Sequence, residues 1–279
     1  MVSAFLNLTC RQYLLVLTIL VIVFLAFWPS VQNGFVNWDD DVHLTENPAL
    51  RGLDGDHLQQ IFSQTINHIY VPLTTLSFAI EYFFRQYDPF LYHLDNLLLH
   101  LLNTWLVFII CGQLGLTVRA SGLAALLFGL HPTHVESVAW VTERKDVLYG
   151  AFYLLAMHLY LRYIKEANKN LYLFSWFSGL FSMLAKPMAL SLPLILLVLD
   201  WLKGRKFERN LYLEKVPYVL IIVSITLITY LQHARIPAQK AGEAVLIGTW
   251  TFIFYIRKFV FPFDLCPLYK LPLLFQAKT

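Results

Sequence analysis

Charge is what this sequence has least of. Only 14% of its 279 residues are Asp, Glu, Lys or Arg, against about 25% in soluble domains, while 58% are hydrophobic and 16% aromatic. Such a chain has too few charged side chains to cover a folded surface in water, which excludes an ordinary soluble domain and points to a polytopic membrane protein. The net charge is only +3, and no basic block interleaved with aromatics occurs, so nucleic acid is not an expected partner. Cysteine is scarce as well. Cys10, Cys111 and Cys266 stand apart without CxxC spacing, which argues against a disulfide framework and a zinc site. Small residues are missing where a signal peptidase would need them, since Phe27, Trp28 and Pro29 follow the first apolar run. That run is read as an uncleaved first span.

What is abundant is apolar sequence in long windows. These fall at roughly 12–28, 93–111, 118–131, 147–164, 171–185, 188–202, 215–232 and 244–261, which predicts an all-α polytopic helix bundle of about eight spans. Residues 1–279 read as a single transmembrane domain. A cytoplasmic N-terminus places ten bases inside, concentrated at 162–169 and 203–215, against seven outside: Arg51, Arg85, Arg144, Lys145, Lys186, Arg235 and Lys240. The excess of positive charge inside favours that orientation. Residues 29–92 then form one long outer loop, periplasmic or luminal. Its segment 66–84 is aromatic and apolar but interrupted by Pro72, and it is read as an interfacial helix lying along the membrane. The bases at 203–209 read as a solvated charge run.

Directly after the first span comes Phe35-Val36-Asn37-Trp38-Asp39-Asp40-Asp41. Acids do not assist insertion and are costly near hydrocarbon. The run is therefore either a solvated acidic loop or a catalytic or metal-holding cluster at the membrane surface.

Three further features share the outer face or point toward it. His93, Asn96, His100 and Asn103 recur at helical spacing, so all four lie on one face that turns into the bundle, for interhelical hydrogen bonding or for ligand contact. The stretch 131–146 gathers His131, His134, Glu136, Glu143, Arg144, Lys145 and Asp146 in a chain otherwise poor in charge. Pro132 disfavours one helix through both histidines, which weakens a metal reading, whereas Arg144 and Lys145 suit a phosphate. Lys186, in a tight outer turn before Pro187, either snorkels to the interface or adds to that phosphate site. Separated acids and bases suit a reaction in which a carboxylate deprotonates an acceptor while cations stabilise a departing phosphate.

The sequence resembles the bacterial relatives of the transmembrane and tetratricopeptide repeat-containing family, within the glycosyltransferase C superfamily. The resemblance rests on Phe35 through Asp41 with Glu46-Asn47-Pro48, on Pro72-Leu73-Thr74 with Leu76-Ser77, and on His93 to Asn103. It continues through His131-Pro132-Thr133-His134-Val135-Glu136-Ser137-Val138-Ala139-Trp140, Glu143-Arg144-Lys145-Asp146-Val147-Leu148 and Ala185-Lys186-Pro187. No 34-residue helical repeat occurs. The resemblance implies transfer of a hexose, mannose in the eukaryotic members, from a polyprenyl-phosphate donor to a hydroxyl acceptor, protein Ser or Thr or a glycan, on the outer or luminal face. It implies Asp39 and Asp40 as the catalytic pair. Arg144, Lys145 and Lys186 are then expected to bind the donor phosphate, with His93, Asn96, His100, His131, His134, Glu143 and Asp146 shaping the pocket. No cofactor is required, although a divalent ion at Asp39 and Asp40 is an option. A separate repeat-containing subunit is a further expected partner, and the membrane is a bacterial inner membrane or the endoplasmic reticulum. The alternatives are a non-catalytic or truncated scaffold of the same family and a transporter of lipid-linked sugars.

Overall fold

A computed structural model describes residues 10–67, 69–232, 241–266 and 269. Arg235 and Lys240, counted above among the outer bases, lie outside the described residues. Twelve α-helices are found among the described residues: α1 (Cys10–Phe27), α2 (Gly55–Ser63), α3 (Pro72–Arg85), α4 (Pro89–Leu114), α5 (Val118–Gly129), α6 (His134–Ala139), α7 (Arg144–Glu166), α8 (Lys169–Ala185), α9 (Leu192–Leu202), α10 (Arg209–Leu213), α11 (Val216–Gln232) and α12 (Ala241–Val260). Extended pairing among the described residues amounts to one isolated bridge, Ile66 to Ile69.

Each apolar window is occupied by helix, and the chain is an all-α membrane protein. Among the described residues four segments are long and apolar enough to cross a bilayer: Cys10–Gln32, Pro89–Leu114, Val141–Glu166 and Arg209–Leu231. α4, at 26 residues, reaches about 39 Å at 1.5 Å per residue, more than the roughly 30 Å of hydrocarbon. Val118–Gly129 and Pro187–Leu202 are shorter apolar helices.

Local chemistry sets the helix ends. Asp88 accepts from Phe90 N ahead of Pro89, and Gly115 closes α4 in the left-handed region at φ 100°, the conformation glycine adopts without strain. Thr117 accepts from Ala120 N to start α5, and Asp54 accepts from Asp56 N and His57 N to start α2. The helix expected over 66–84 begins later. Proline forbids helical backbone at the residue before it; Val71 is held at φ −135° and Pro72 opens α3.

α1, α4 and α5 share one apolar core, with Val16, Ile19, Val23, Leu97, Phe108 and Ala125 buried. α7 packs along both α8 and α4 and joins α9 and α11 in a second core built on Tyr160, Leu161, Leu192, Leu196 and Tyr218. The segment between α1 and α4 builds a cap with its own core, in which Leu44, Leu50, Ile61 and Phe78 close over Tyr92 and Val141. At the other end of α7, Tyr160 Oη donates to Asp200 at 3.0 Å. Arg205 reaches Asp200 at 2.8 Å and Glu214 at 2.9 Å, and Lys215 reaches Asp200 at 2.7 Å. The charge run at 203–209 is thus solvated only in part, since Arg205 belongs to this buried network. A buried Asp200 would be too costly without its cations.

α5 approaches α1 and α4 closely enough that a Cβ on Gly129 would lie 2.6 Å from Val23 Cγ2 and 3.1 Å from Thr104 Oγ1, whereas one on Gly112 would meet nothing within 4 Å. Gly129→Ala is expected to cost about 1–3 kcal/mol through overpacking, read as a lower unfolding midpoint in detergent, with Gly112→Ala showing no such loss.

Candidate functional site

The backbone leaving α1 turns through Trp28–Gln32 and delivers Asp40 to the head of a π-helical turn, Asp41–Thr45. Turns of that kind are uncommon and concentrate at functional sites. Asp40 is 1% exposed, so its carboxylate needs donors, and the chain supplies them from about a hundred residues away. Asp40 Oδ1 accepts from Trp140 Nε1 at 2.9 Å, from Thr142 N at 3.2 Å and from the Thr142 hydroxyl. Asp40 Oδ2 accepts only from Val36 N, at 2.9 Å. The two oxygens therefore differ: Oδ1 is saturated and anchored, and Oδ2 keeps acceptor capacity. Asp40 lines a cleft of about 330 Å³ together with Asn33, Gly34, Phe35, Val36, His93, Ala139, Trp140 and Val141.

Asp39 is half-buried and accepts from Asn67 Nδ2 at 3.0 Å. Asp39 and Asp40 thus have different partners, and among the described residues no group of three or more His, Cys, Asp or Glu is placed to hold a metal ion.

Members of the expected phosphate set are unequal. Arg144 is 1% exposed and spends its donors on the protein: Glu81 Oε1 at 2.7 Å, the Tyr92 carbonyl at 2.7 Å, Ser77 Oγ at 3.4 Å and Asn96 Oδ1. Its guanidinium also lies 4.9 Å from the Phe78 ring centroid. Arg144 ties α3 and α4 to the start of α7. Lys145 pairs with Glu143 at 2.9 Å. Lys186 pairs with Glu143 at 3.4 Å and with Asp146, and with 19% of its side chain exposed it is the most accessible of the three. Asp146 also accepts from Ser137 Oγ at 3.0 Å, and Thr74 Oγ1 donates to the Ala185 carbonyl at 2.9 Å, which fixes the Lys186 turn to α3.

All four polar residues of the α4 face are buried. Asn96 Nδ2 donates to the Trp140 carbonyl at 3.0 Å, His100 Nε2 to the Gly129 carbonyl at 2.9 Å, and Asn103 Nδ2 to the Val147 carbonyl at 2.9 Å. These three lace α4 to its neighbours, while His93 lines the cleft. His131 is held by Thr133 Oγ1 at 2.7 Å and the Phe259 carbonyl at 2.9 Å. This contact also brings the C-terminal end of α12, with Arg257 and Lys258, beside the turn between α5 and α6. His134 packs on Phe128, with ring centroids 4.6 Å apart.

Sequence reasoning left Trp140, Thr142, Glu81 and His43 without roles. Trp140 and Thr142 stand within the charged stretch and carry hydrogen-bond donors, which was a usable signal. His43 carried none. It is 2% exposed, its Nε2 lacks a hydrogen-bond partner, and it feels the charges of Lys145 and Asp40.

Burial pulls His43 down to about 4, with Lys145 adding to the drop and Asp40 opposing it; burial and the neighbouring His100 and His131 likewise pull His134 down to about 4. Burial pushes Glu81 up to about 8 against the pull of Arg144, and Asp95 adds to the rise. A histidine lowered from 6.5 contributes stability that is lost as pH falls from about 6.5 to about 4, roughly 3 kcal/mol each. A glutamate raised from 4.5 works oppositely and loses stability as pH rises toward about 8. Two histidines outweigh one glutamate on the acid side, so detergent unfolding midpoints are expected to peak near pH 6.5. His43→Gln should flatten the acid limb and Glu81→Gln the alkaline one. Arg144→Met removes the pull that opposes burial of Glu81 and strips a donor from Glu81, Asn96 and the Tyr92 carbonyl at once; it should cost about 3–5 kcal/mol, read as a lower unfolding midpoint in detergent.

No protein-family model matches the chain, and no solved structure does. Curated proteins do match. Protein O-mannosyl-transferase tmtc2 of Xenopus laevis is 34% identical over 146 residues, 50% of this chain and 18% of the relative. Protein O-mannosyl-transferase TMTC4 of Homo sapiens is 32% identical over 224 residues, 70% of this chain and 30% of the relative. Protein O-mannosyl-transferase TMTC3 of Mus musculus is 33% identical over 160 residues, 54% of this chain and 17% of the relative. The chain thus spans less than a third of the length of these curated relatives. Four membrane-length apolar helices among the described residues make it an integral membrane protein, and its relatives over half or more of its residues include protein O-mannosyl-transferases.

Proposed function

We propose that the chain is a membrane glycosyltransferase, a bacterial member of the glycosyltransferase C superfamily with about eight spans and a cytoplasmic N-terminus. It transfers a hexosyl group, mannose in the relatives' names, from a polyprenyl-phosphate donor to a hydroxyl on a protein. The reaction takes place on the outer or luminal face that carries Asp39, Asp40 and Asp41. The observation that carries this reading is the state of Asp40: a buried carboxylate with one oxygen locked by Trp140 and Thr142 and the other only singly bonded, at the wall of a cleft.

In this mechanism Asp40 Oδ2 takes the proton of the acceptor hydroxyl as its oxygen attacks the anomeric carbon. The bond from that carbon to the phosphate oxygen breaks, and the phosphate leaves with the electron pair. Oδ1 serves orientation, because three donors on one oxygen prevent the carboxylate from rotating. Asp39, next to Asp40 in sequence, is held by Asn67. Lys186, the most accessible cation of the three, meets the leaving phosphate, with Lys145 behind it. Glu143 and Asp146 hold both lysines in place for the donor phosphodiester and for the second negative charge its phosphate gains as the bond breaks. Arg144 acts from a distance by fixing the start of α7, on which Lys145 and Asp146 are carried. Asn96, His100, His131 and His134 form the scaffold of the pocket. α3 and the cap lie at the membrane surface, with Phe83 and Phe84 exposed at headgroup depth.

General-base assistance contributes about 10²–10⁴ in rate. Asp40→Asn is therefore expected to lower turnover by that factor in a reconstituted assay with radiolabelled polyprenyl-phosphate mannose, with the donor KM little changed and the unfolding midpoint lowered only by the loss of the Val36 N bond. Undiminished turnover in the folded variant would end the catalytic reading and favour a scaffold.

A further inference from the structure

The cleft at Asp40 has a second polar wall that the base chemistry does not use. His93 is 1% exposed and lines the cleft, yet neither of its ring nitrogens completes a hydrogen bond among the described residues. The Gly34 backbone, itself part of the cleft wall, comes near the ring without reaching hydrogen-bond geometry. A buried imidazole left in this way is costly unless something outside the chain meets it. A neutral imidazole offers one donor and one acceptor, the complement of a hydroxyl pair.

The rest of the lining narrows the ligand class. Asp40 is its one charged side chain, and no Lys or Arg reaches it, so a phosphate would meet a carboxylate with no cation to offset the repulsion. Two aromatic residues, Phe35 and Trp140, form walls. The indole N–H of Trp140 is already given to Asp40, and its apolar faces remain for packing. The volume, about 330 Å³, equals about eleven water volumes of about 30 Å³ each and falls at the lower end of ligand-binding pockets. One hydroxylated side chain would leave most of it empty. A hexosyl ring, polyhydroxylated, uncharged and apolar on one face, fits in size and in character.

We propose that this cleft binds the hexosyl group itself, with His93 as the residue that hydrogen-bonds a pair of its hydroxyls and the aromatic walls covering its apolar face; the assignment rests on the transferase reading of Asp40. The phosphate of the donor then lies outside the cleft, toward Lys186, and the anomeric carbon sits at its mouth, within reach of a hydroxyl held by Asp40 Oδ2. His93 in this arrangement sets specificity and affinity for the sugar.

The test needs no turnover. Binding of methyl α-mannopyranoside to the full chain in nanodiscs is followed by saturation-transfer NMR, for the wild type, His93→Leu and His93→Gln. His93→Leu should weaken binding at least tenfold, the loss expected from removing one or two hydrogen bonds. Its unfolding midpoint should stay unchanged or rise, because the variant removes unpartnered buried nitrogens rather than a bond within the protein. His93→Gln, which keeps a donor and an acceptor, should retain most of the binding. Inorganic phosphate should not compete. Absence of sugar binding by the wild type, unweakened binding by His93→Leu, a fall in its midpoint, loss of binding in His93→Gln, or displacement by phosphate would each overturn the assignment. The transferase reading is judged separately, by the rate of the Asp40→Asn variant.

Discussion

The site depends on satisfying one carboxylate where water is excluded. Asp40 is covered almost completely, and such burial is tolerable only when hydrogen bonds replace hydration. Those bonds come from Val36, four residues earlier, and from Trp140 and Thr142, five helices further along the chain. The same contacts that hold the carboxylate therefore hold the cap against the junction of α6 and α7. Asn96 adds a second tie to that junction by donating to the Trp140 carbonyl, so the loop and α4 are both fastened to the segment that leads into α7.

Charge is handled in the same way elsewhere in the bundle. Arg144 and Glu81 lie buried beneath the cap, and Asp200 with Lys215 is buried toward the opposite end of α7. Tyr160 lies sixteen residues after Arg144 on that helix, about 24 Å along its axis. Between the two charged layers the exterior is apolar, with Leu17 and Leu25 on α1 and Leu220 and Leu227 on α11 exposed. A bilayer accepts that surface, and the hydrogen-bonded polar networks at both ends tie neighbouring helices together.

Within the site the chemistry is graded by access. Arg144 is locked, Lys145 is held by one carboxylate, and Lys186 lies nearest to solvent between two. Residues adjacent in sequence thus carry different tasks, a rigid anchor beside a cation that an incoming anion can recruit. His93 shows the same division on α4, where three polar neighbours bond to the protein and the fourth is left facing the cleft.

The sequence by itself determined the class of the protein, because apolar windows and scarce charge admit few solutions besides membrane helices. It also set the neighbourhood of the site, since acids after the first span and mixed charges at 131–146 are too costly near lipid to be incidental. Helical spacing placed His93, Asn96, His100 and Asn103 on one inward face. Helix ends were partly legible: Pro72 marks the start of α3, a position that hydrophobic pattern alone had blurred. Only the tertiary structure decided which of the chemically similar groups are free. A sequence records that Arg144 and Lys186 are both cations and that Asp39 and Asp40 are both acids. Whether Glu81 consumes Arg144, or Thr142 orients Asp40, depends on contacts across 63 and 102 residues of chain, and no local pattern encodes such pairings because they arise from how packed helices bring distant segments together.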